Sequence, residues 1–92
     1  MKKIFLFLSL ILTMNAFVFD FIDLNKAKKA YQQKDFKTSA KIYKKFKSQE
    51  AIFNYANSLY KEKKFNEAIK EYNKISSKKL LFKKLHNLGN SY

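Results

Sequence analysis

Apolar residues recurring three and four apart, interrupted by a short charged break and then resumed, constrain this chain more than any other feature. Residues 54–60 read Asn-Tyr-Ala-Asn-Ser-Leu-Tyr, and Ile52, Ala56, Leu59 and Tyr60 fall on one side of a helix. After Lys61-Glu62-Lys63-Lys64 the pattern returns as Phe65, Ala68, Ile69, Tyr72 and Ile75. A period near 3.6 residues is that of an amphipathic helix. Two such helices across so short a break fold back as an antiparallel hairpin. Ala56 and Ala68 suit a close crossing, and Phe65 and Tyr72 fill the space beside it. A lone hairpin of this kind leaves apolar surface uncovered and needs a neighbour.

The neighbours are written in the same sequence. Moving the stretch back by 29 residues pairs Asn25 with Asn54, Ala27 with Ala56, Tyr31 with Tyr60, Phe36 with Phe65, Tyr43 with Tyr72 and Phe46 with Ile75. Moving it forward by 33 pairs Asn54 with Asn87, Ala56 with Gly89, Asn57 with Asn90 and Ser58 with Ser91. The pairings predict an all-α chain of stacked antiparallel hairpins: unit one at 24–47, unit two at 50–76, and the first helix of unit three at 78–92. Helices are expected at 24–34, 36–46, 50–63, 66–75 and 78–92. Asp35 is the expected N-cap of the second helix and Ser77 that of the fifth. Ser48 and Gln49 are expected to form a tight connection. A single Gly and no Pro suit helices with short turns and argue against a sandwich or barrel.

The order Asn-x-small-Asn, then an aromatic, then Ala and Tyr on the second helix resembles the tetratricopeptide repeat, a helix-turn-helix unit of about 34 residues. Residues 87–92, Asn-Leu-Gly-Asn-Ser-Tyr, are similar to the start of that family's consensus. The resemblance covers residues 24–92. Ser39 stands where the family's pattern has Ala, and the usual Pro at the end of each unit is absent. The resemblance implies a short solenoid of about two and a half repeats. Its first helices would line a groove that receives an extended peptide or a partner's helix. The groove positions implied are Asn25 and Lys28 in unit one, Asn54 and Asn57 in unit two, and Asn87 and Asn90 in unit three. An Asn amide donates and accepts, so it can hold a peptide backbone whatever the side chains. The same residues can instead order neighbouring helices, and both readings stand. Lys28, Lys61 and Lys83 would attract a carboxylate or an acidic segment. Leu24 stands where a basic carboxylate clamp would place Lys. Among exported bacterial repeat proteins, residues 19–36 resemble the openings of the aerotolerance-associated Bat family. That resemblance implies a place at the cell envelope and a von Willebrand-type partner.

The N-terminal segment, residues 1–16, has the layout of a secretory signal: Lys2 and Lys3, an apolar run at 4–12 broken by Ser9, then Ala16. Met14 occupies a site where signal cleavage after Ala16 wants a small side chain. Apolar residues resume at Phe17, Val18 and Phe19, so 4–19 reads alternatively as an uncleaved anchor, just under the roughly 17–25 residues of a span. A core helix is the third reading. The first two place the repeats outside the cytoplasm, either periplasmic or anchored to the inner membrane. Residues 17–23 are expected to be a junction, with Phe19, Phe21 and Ile22 packing on unit one.

Net charge is +13, and all twenty basic residues are Lys. Sequence-specific nucleic-acid readout leans on the bidentate Arg fork, which this chain lacks. The charge instead favours acidic partners or an anionic membrane surface. With no Cys there is neither a disulfide scaffold nor a thiolate metal site. His86 is the sole histidine. Glu67 and Glu71 have Lys63, Lys70 and Lys74 at helical spacing, as on an ordinary solvated face. The residues therefore predict no enzyme, cofactor or metal, and the resemblance implies a non-catalytic protein- or peptide-binding scaffold of the bacterial cell envelope. The alternative is a cationic module that binds anionic lipid or nucleic acid without sequence preference. The fifth helix offers Leu80, Leu81, Phe82, Leu85, Leu88 and Tyr92, more apolar surface than one neighbour covers. Either the chain is a fragment of a longer repeat protein, or this helix docks on a partner or a second copy.

Overall fold

The computed structural model describes residues 18–92, of which 77% are helical and none lies in a strand. The first helix, α1, covers residues 18–32. It is followed by α2 (Phe36–Tyr43), α3 (Gln49–Lys61) and α4 (Phe65–Tyr72), then a 3-10 turn (Lys78–Leu80) that leads into α5 (Leu81–Ser91). The expected signal peptide or anchor at 1–16 lies outside the described residues. Among the described residues, no helix is long and apolar enough to cross a membrane.

The turns after α1 and α3 use one backbone device. Lys34 and Lys63, 29 residues apart, both adopt the left-handed conformation with φ 64°. At the first turn the Asp35 N–H donates to the Ala30 carbonyl at 2.8 Å and the Lys34 N–H to that of Tyr31 at 3.1 Å. At the second, Lys64 N–H donates to Leu59 O at 2.9 Å and Lys63 N–H to Tyr60 O at 3.0 Å. This paired pattern is the Schellman motif, which satisfies the last carbonyls of a helix as the chain reverses. An edge-on aromatic pair flanks each turn: Tyr31 with Phe36 at 5.1 Å and Tyr60 with Phe65 at 5.5 Å between ring centroids. The 29-residue offset read from side chains is therefore also present in the backbone.

Capping follows the sequence in part. Asp35 caps α2, its Oδ1 accepting from the Thr38 N–H at 3.3 Å. Ser48 does more than connect: it caps α3, with the Ala51 N–H donating to its Oγ at 3.1 Å. Ser77 does not cap the fifth helix as expected. It precedes the 3-10 turn without a side-chain capping bond, and Leu80 stands at the N-cap of α5. The 3-10 turn explains the difference, because the Leu80 N–H that a capping Ser77 hydroxyl would take donates to the Ser77 carbonyl at 3.2 Å, while Gln49 Oε1 accepts from the N–H groups of Ser76 and Ser77 at 2.7 and 3.1 Å and pins the connection to the start of α3. The expected junction is likewise helical from residue 18, since neither Gly nor Pro interrupts it. Helices α2 and α4 stop before Phe46 and Ile75 because the last turn tightens. Phe46 N–H donates to Tyr43 O at 3.0 Å and Ile75 N–H to Tyr72 O at 3.1 Å, both three residues back.

Packing centres on α3, which lies against α2, α4 and α5. Ala27 and Ala56, equivalent in the repeat, are each 0% exposed. Phe53, Ala56 and Leu59 of α3 share one cluster with Ala68, Tyr72 and Ile75, and the Phe53 and Tyr72 rings lie 6.1 Å apart. Ser39 and Ser58 are fully buried and joined Oγ to Oγ at 2.8 Å across α2 and α3. Each serine also has a helix carbonyl in reach, Phe36 O at 3.0 Å and Asn54 O at 2.9 Å, so neither buried hydroxyl lacks a partner. Four side chains depart from expectation. Phe19, Phe21 and Ile22 are exposed rather than stapled onto unit one, and Phe65, at the hairpin turn, is 40% exposed. Its counterpart Phe36 is half-buried. Both phenylalanines open a second helix, where the partner ring covers only one face.

Candidate functional site

The first helices of units one and two present a common groove. On α1, Asn25, Lys28 and Gln32 are spaced three and four apart and share a face. On α3, Asn54 and Asn57 do the same. Tyr43, at the end of α2, closes the space between them. The result is two contiguous hollows of ≈ 370 and ≈ 260 Å³ that share Lys28, Tyr43 and Asn54. The first is completed by Tyr31, Gln32 and Asn57, the second by Phe21, Leu24 and Asn25 among others. Four of the residues singled out from sequence, Asn25, Lys28, Asn54 and Asn57, thus meet around one surface. Burial raises the Tyr31 phenol above its usual value, and burial followed by the nearby Tyr31 raises that of Tyr43. Both phenols stay neutral at physiological pH and can donate as well as accept. Glu50 stands at the far end of the second hollow, so the groove is not uniformly cationic.

Unit three is joined to this groove through one amide. Asn57 Oδ1 accepts from the Tyr72 hydroxyl and from Asn87 Nδ2, the latter at 2.8 Å. The Tyr72 ring is 0% exposed, and burial drives its pKa well up, only partly opposed by the hydrogen-bonded Asn87. Asn57 and Asn87 therefore tie α3, α4 and α5 together, which is the helix-ordering role open to such residues. Asn90 Nδ2 lies 3.3 Å from His86 Nε2 on the exposed side of α5. Lys61 and Lys83 are exposed and do not line the groove.

Sequence reasoning missed two things. Tyr31 and Tyr43, which the sequence marks only as repeat counterparts of Tyr60 and Tyr72, both line the groove. A larger hollow, ≈ 620 Å³, lies elsewhere, between the end of α2, α3 and α4, and has Phe46, Ile52 and Tyr55 among its apolar lining. Its rim carries Lys44, Lys47, Lys70 and Lys74 together with Glu67 and Glu71. The Tyr55 phenol there is raised by burial and then by Glu71 and Glu67. The available signal was the helical spacing of Ile52 and Tyr55, which border the Ala56 face of α3 and pack against its cluster. Among the described residues, no group of three or more His, Asp or Glu is placed to hold a metal ion. Comparison with protein-family profiles, curated proteins and solved structures finds no match to this chain.

Proposed function

We propose that the chain is a non-catalytic interaction scaffold of the tetratricopeptide type, which receives an extended peptide in the groove between α1 and α3. The observation that carries this reading is the meeting of Asn25, Lys28 and Asn54 around contiguous hollows, from equivalent helices of an internal repeat. Paired donors and acceptors on Asn54, Tyr31 and Tyr43 suit a peptide backbone. Lys28 suits a carboxylate, whether a side chain or a chain terminus. The layout of residues 1–16 supports export, with the repeats in the periplasm or held at the inner membrane. The similarity of residues 19–36 to Bat openings supports a von Willebrand-type partner at the cell envelope.

The test is selection from a peptide library with free C-terminal carboxylates, followed by affinity measurement on variants. Asn54→Ala and Lys28→Glu should each weaken a selected peptide by about tenfold, the range expected for lost polar contacts in a partly desolvated site. Equal affinity for both variants and the parent chain would remove the groove from consideration. The net charge of +13 favours a second reading, adhesion to anionic lipid or nucleic acid. Salt separates the two: lysine–phosphate attraction falls steeply between low and moderate salt, whereas groove recognition weakens far less.

A further inference from the structure

We propose that the outer face of α5 is a second docking surface, built for an acidic amphipathic helix. Phe82, Leu85, Gly89 and Tyr92 recur at helical spacing and so share a side of α5. Phe82 is 84% and Tyr92 83% exposed, and Leu85 is also open to solvent. Their repeat counterparts show what such positions hold. By the 33-residue offset, Gly89 and Tyr92 correspond to Ala56 and Leu59, buried in one cluster with Ala68 and Tyr72 of α4, and Leu85 to Ile52, which packs against that cluster; Phe82 corresponds to Gln49. In unit one, Ala27 is likewise 0% exposed. The element that covers this face in unit two is an antiparallel helix with a small residue at the crossing and an aromatic one turn on.

Over α5 no described element takes that place, and a methyl group added at Gly89 would meet nothing within 4 Å. The glycine is helical, not left-handed, so no turn requires it. It leaves room for close approach of a second backbone.

Charge selects the occupant. Residues 76–92 contain four lysines and no carboxylate. Lys84 turns inward, its Nζ donating to the Ile75 carbonyl at 2.8 Å. Lys78 and Lys79, in the turn that leads into α5, and the exposed Lys83 carry the remaining charge, and of these only Lys79 reaches a carboxylate, Glu50 at 3.5 Å with both side chains exposed. A second copy of this chain would bring another +13 to those lysines. A helix with an apolar stripe and flanking Asp or Glu is complementary in both shape and sign. This surface is separate from the α1–α3 groove, and the inference does not rest on the groove's occupant.

The probe is a synthetic helix carrying the spacing of Phe65, Ala68, Ile69 and Tyr72 with Glu at its polar positions, labelled with fluorescein. Its comparator has the same composition in scrambled order. Titrated by anisotropy against the full chain, the patterned helix should bind at least about tenfold more tightly than the scramble. Phe82→Glu and Gly89→Leu should each abolish that difference. Gly89→Ala should keep it, because alanine occupies the covered positions of units one and two. Lys41→Glu, a charge change on α2, should keep it too. Phe82 is exposed, so its variant should retain the helical circular dichroism of the parent. Equal binding of patterned and scrambled peptides would reduce the effect to charge attraction and overturn the proposal. So would full binding by Phe82→Glu, or a concentration-dependent dimer of the chain alone that Phe82→Glu dissolves, which would make a second copy the occupant.

Discussion

Lys34 and Lys63 hold a conformation that glycine adopts freely and lysine does not, and replacing either should stabilise the fold. A side chain with a Cβ pays about 1–2 kcal/mol to enter the left-handed region, where Cβ crowds the following carbonyl oxygen. Glycine removes that strain but has more freedom to lose from the unfolded chain, worth about 0.5–1 kcal/mol. The difference leaves a net gain of about 0.5–1 kcal/mol for Lys34→Gly and for Lys63→Gly. The turns belong to separate hairpins, so the double variant should gain roughly the sum. Thermal unfolding followed by circular dichroism is the assay. For a domain of this size, about 1 kcal/mol corresponds to a rise of roughly 4–8 °C in Tm. Charge is the competing explanation, because each change also lowers a net charge of +13. Lys34→Ala separates the two, since alanine removes the charge but keeps the strained Cβ. If Lys34→Ala raises Tm as much as Lys34→Gly, the gain is electrostatic and the backbone argument is refuted.

Other substitutions test neighbouring points. Lys64 stands at the N-cap of α4 without a side-chain capping bond, although its counterpart Asp35 caps α2. Lys64→Ser would complete a capping box with Glu67 and add about 1 kcal/mol in urea unfolding; no change in midpoint would count against it. Gly89→Ala meets open space in a helix interior and should add about 0.5–1 kcal/mol by the same measurement. The raised Tyr72 pKa fixes a sign: the folded state keeps its proton where the unfolded state, near pH 10, begins to lose it. This stabilisation is full below about pH 10 and is lost as pH rises towards the folded-state value. Tyr72→Phe should flatten the alkaline fall in stability by up to about 1.4 kcal/mol per pH unit, and matching alkaline slopes for the two chains would contradict the assignment.

The helices and their pairing were legible because burial leaves a 3.6-residue trace. Ala27, Ala56, Ala68, Tyr43 and Tyr72 carried that trace and are all buried. Helix ends were less legible because they depend on particular hydrogen bonds. No glycine announces the left-handed turn at Lys34 or Lys63, and nothing in the residues announces the 3-10 turn that takes the Leu80 N–H from a Ser77 cap. The junction expected at 17–23 is helical from residue 18, because neither Gly nor Pro stops a helix there. For the groove, repeat position was enough to bring Asn25, Lys28, Asn54 and Asn57 together. It could not separate Asn54, which lines the surface, from Asn57, which also bonds Tyr72 and Asn87. The large hollow beside Tyr55 escaped notice because its rim comes from lysines and glutamates that, taken helix by helix, look merely solvated.

The Asn57 carboxamide has a consequence for how the two surfaces of this chain can behave. Its oxygen holds the α5 side, while the same residue borders the hollow that faces α1. A guest that drew this amide towards itself would slacken the hold on Asn87 and loosen the seating of α5. By thermodynamic reciprocity, a guest that tightened α5 would alter the welcome offered on the other side by the same factor.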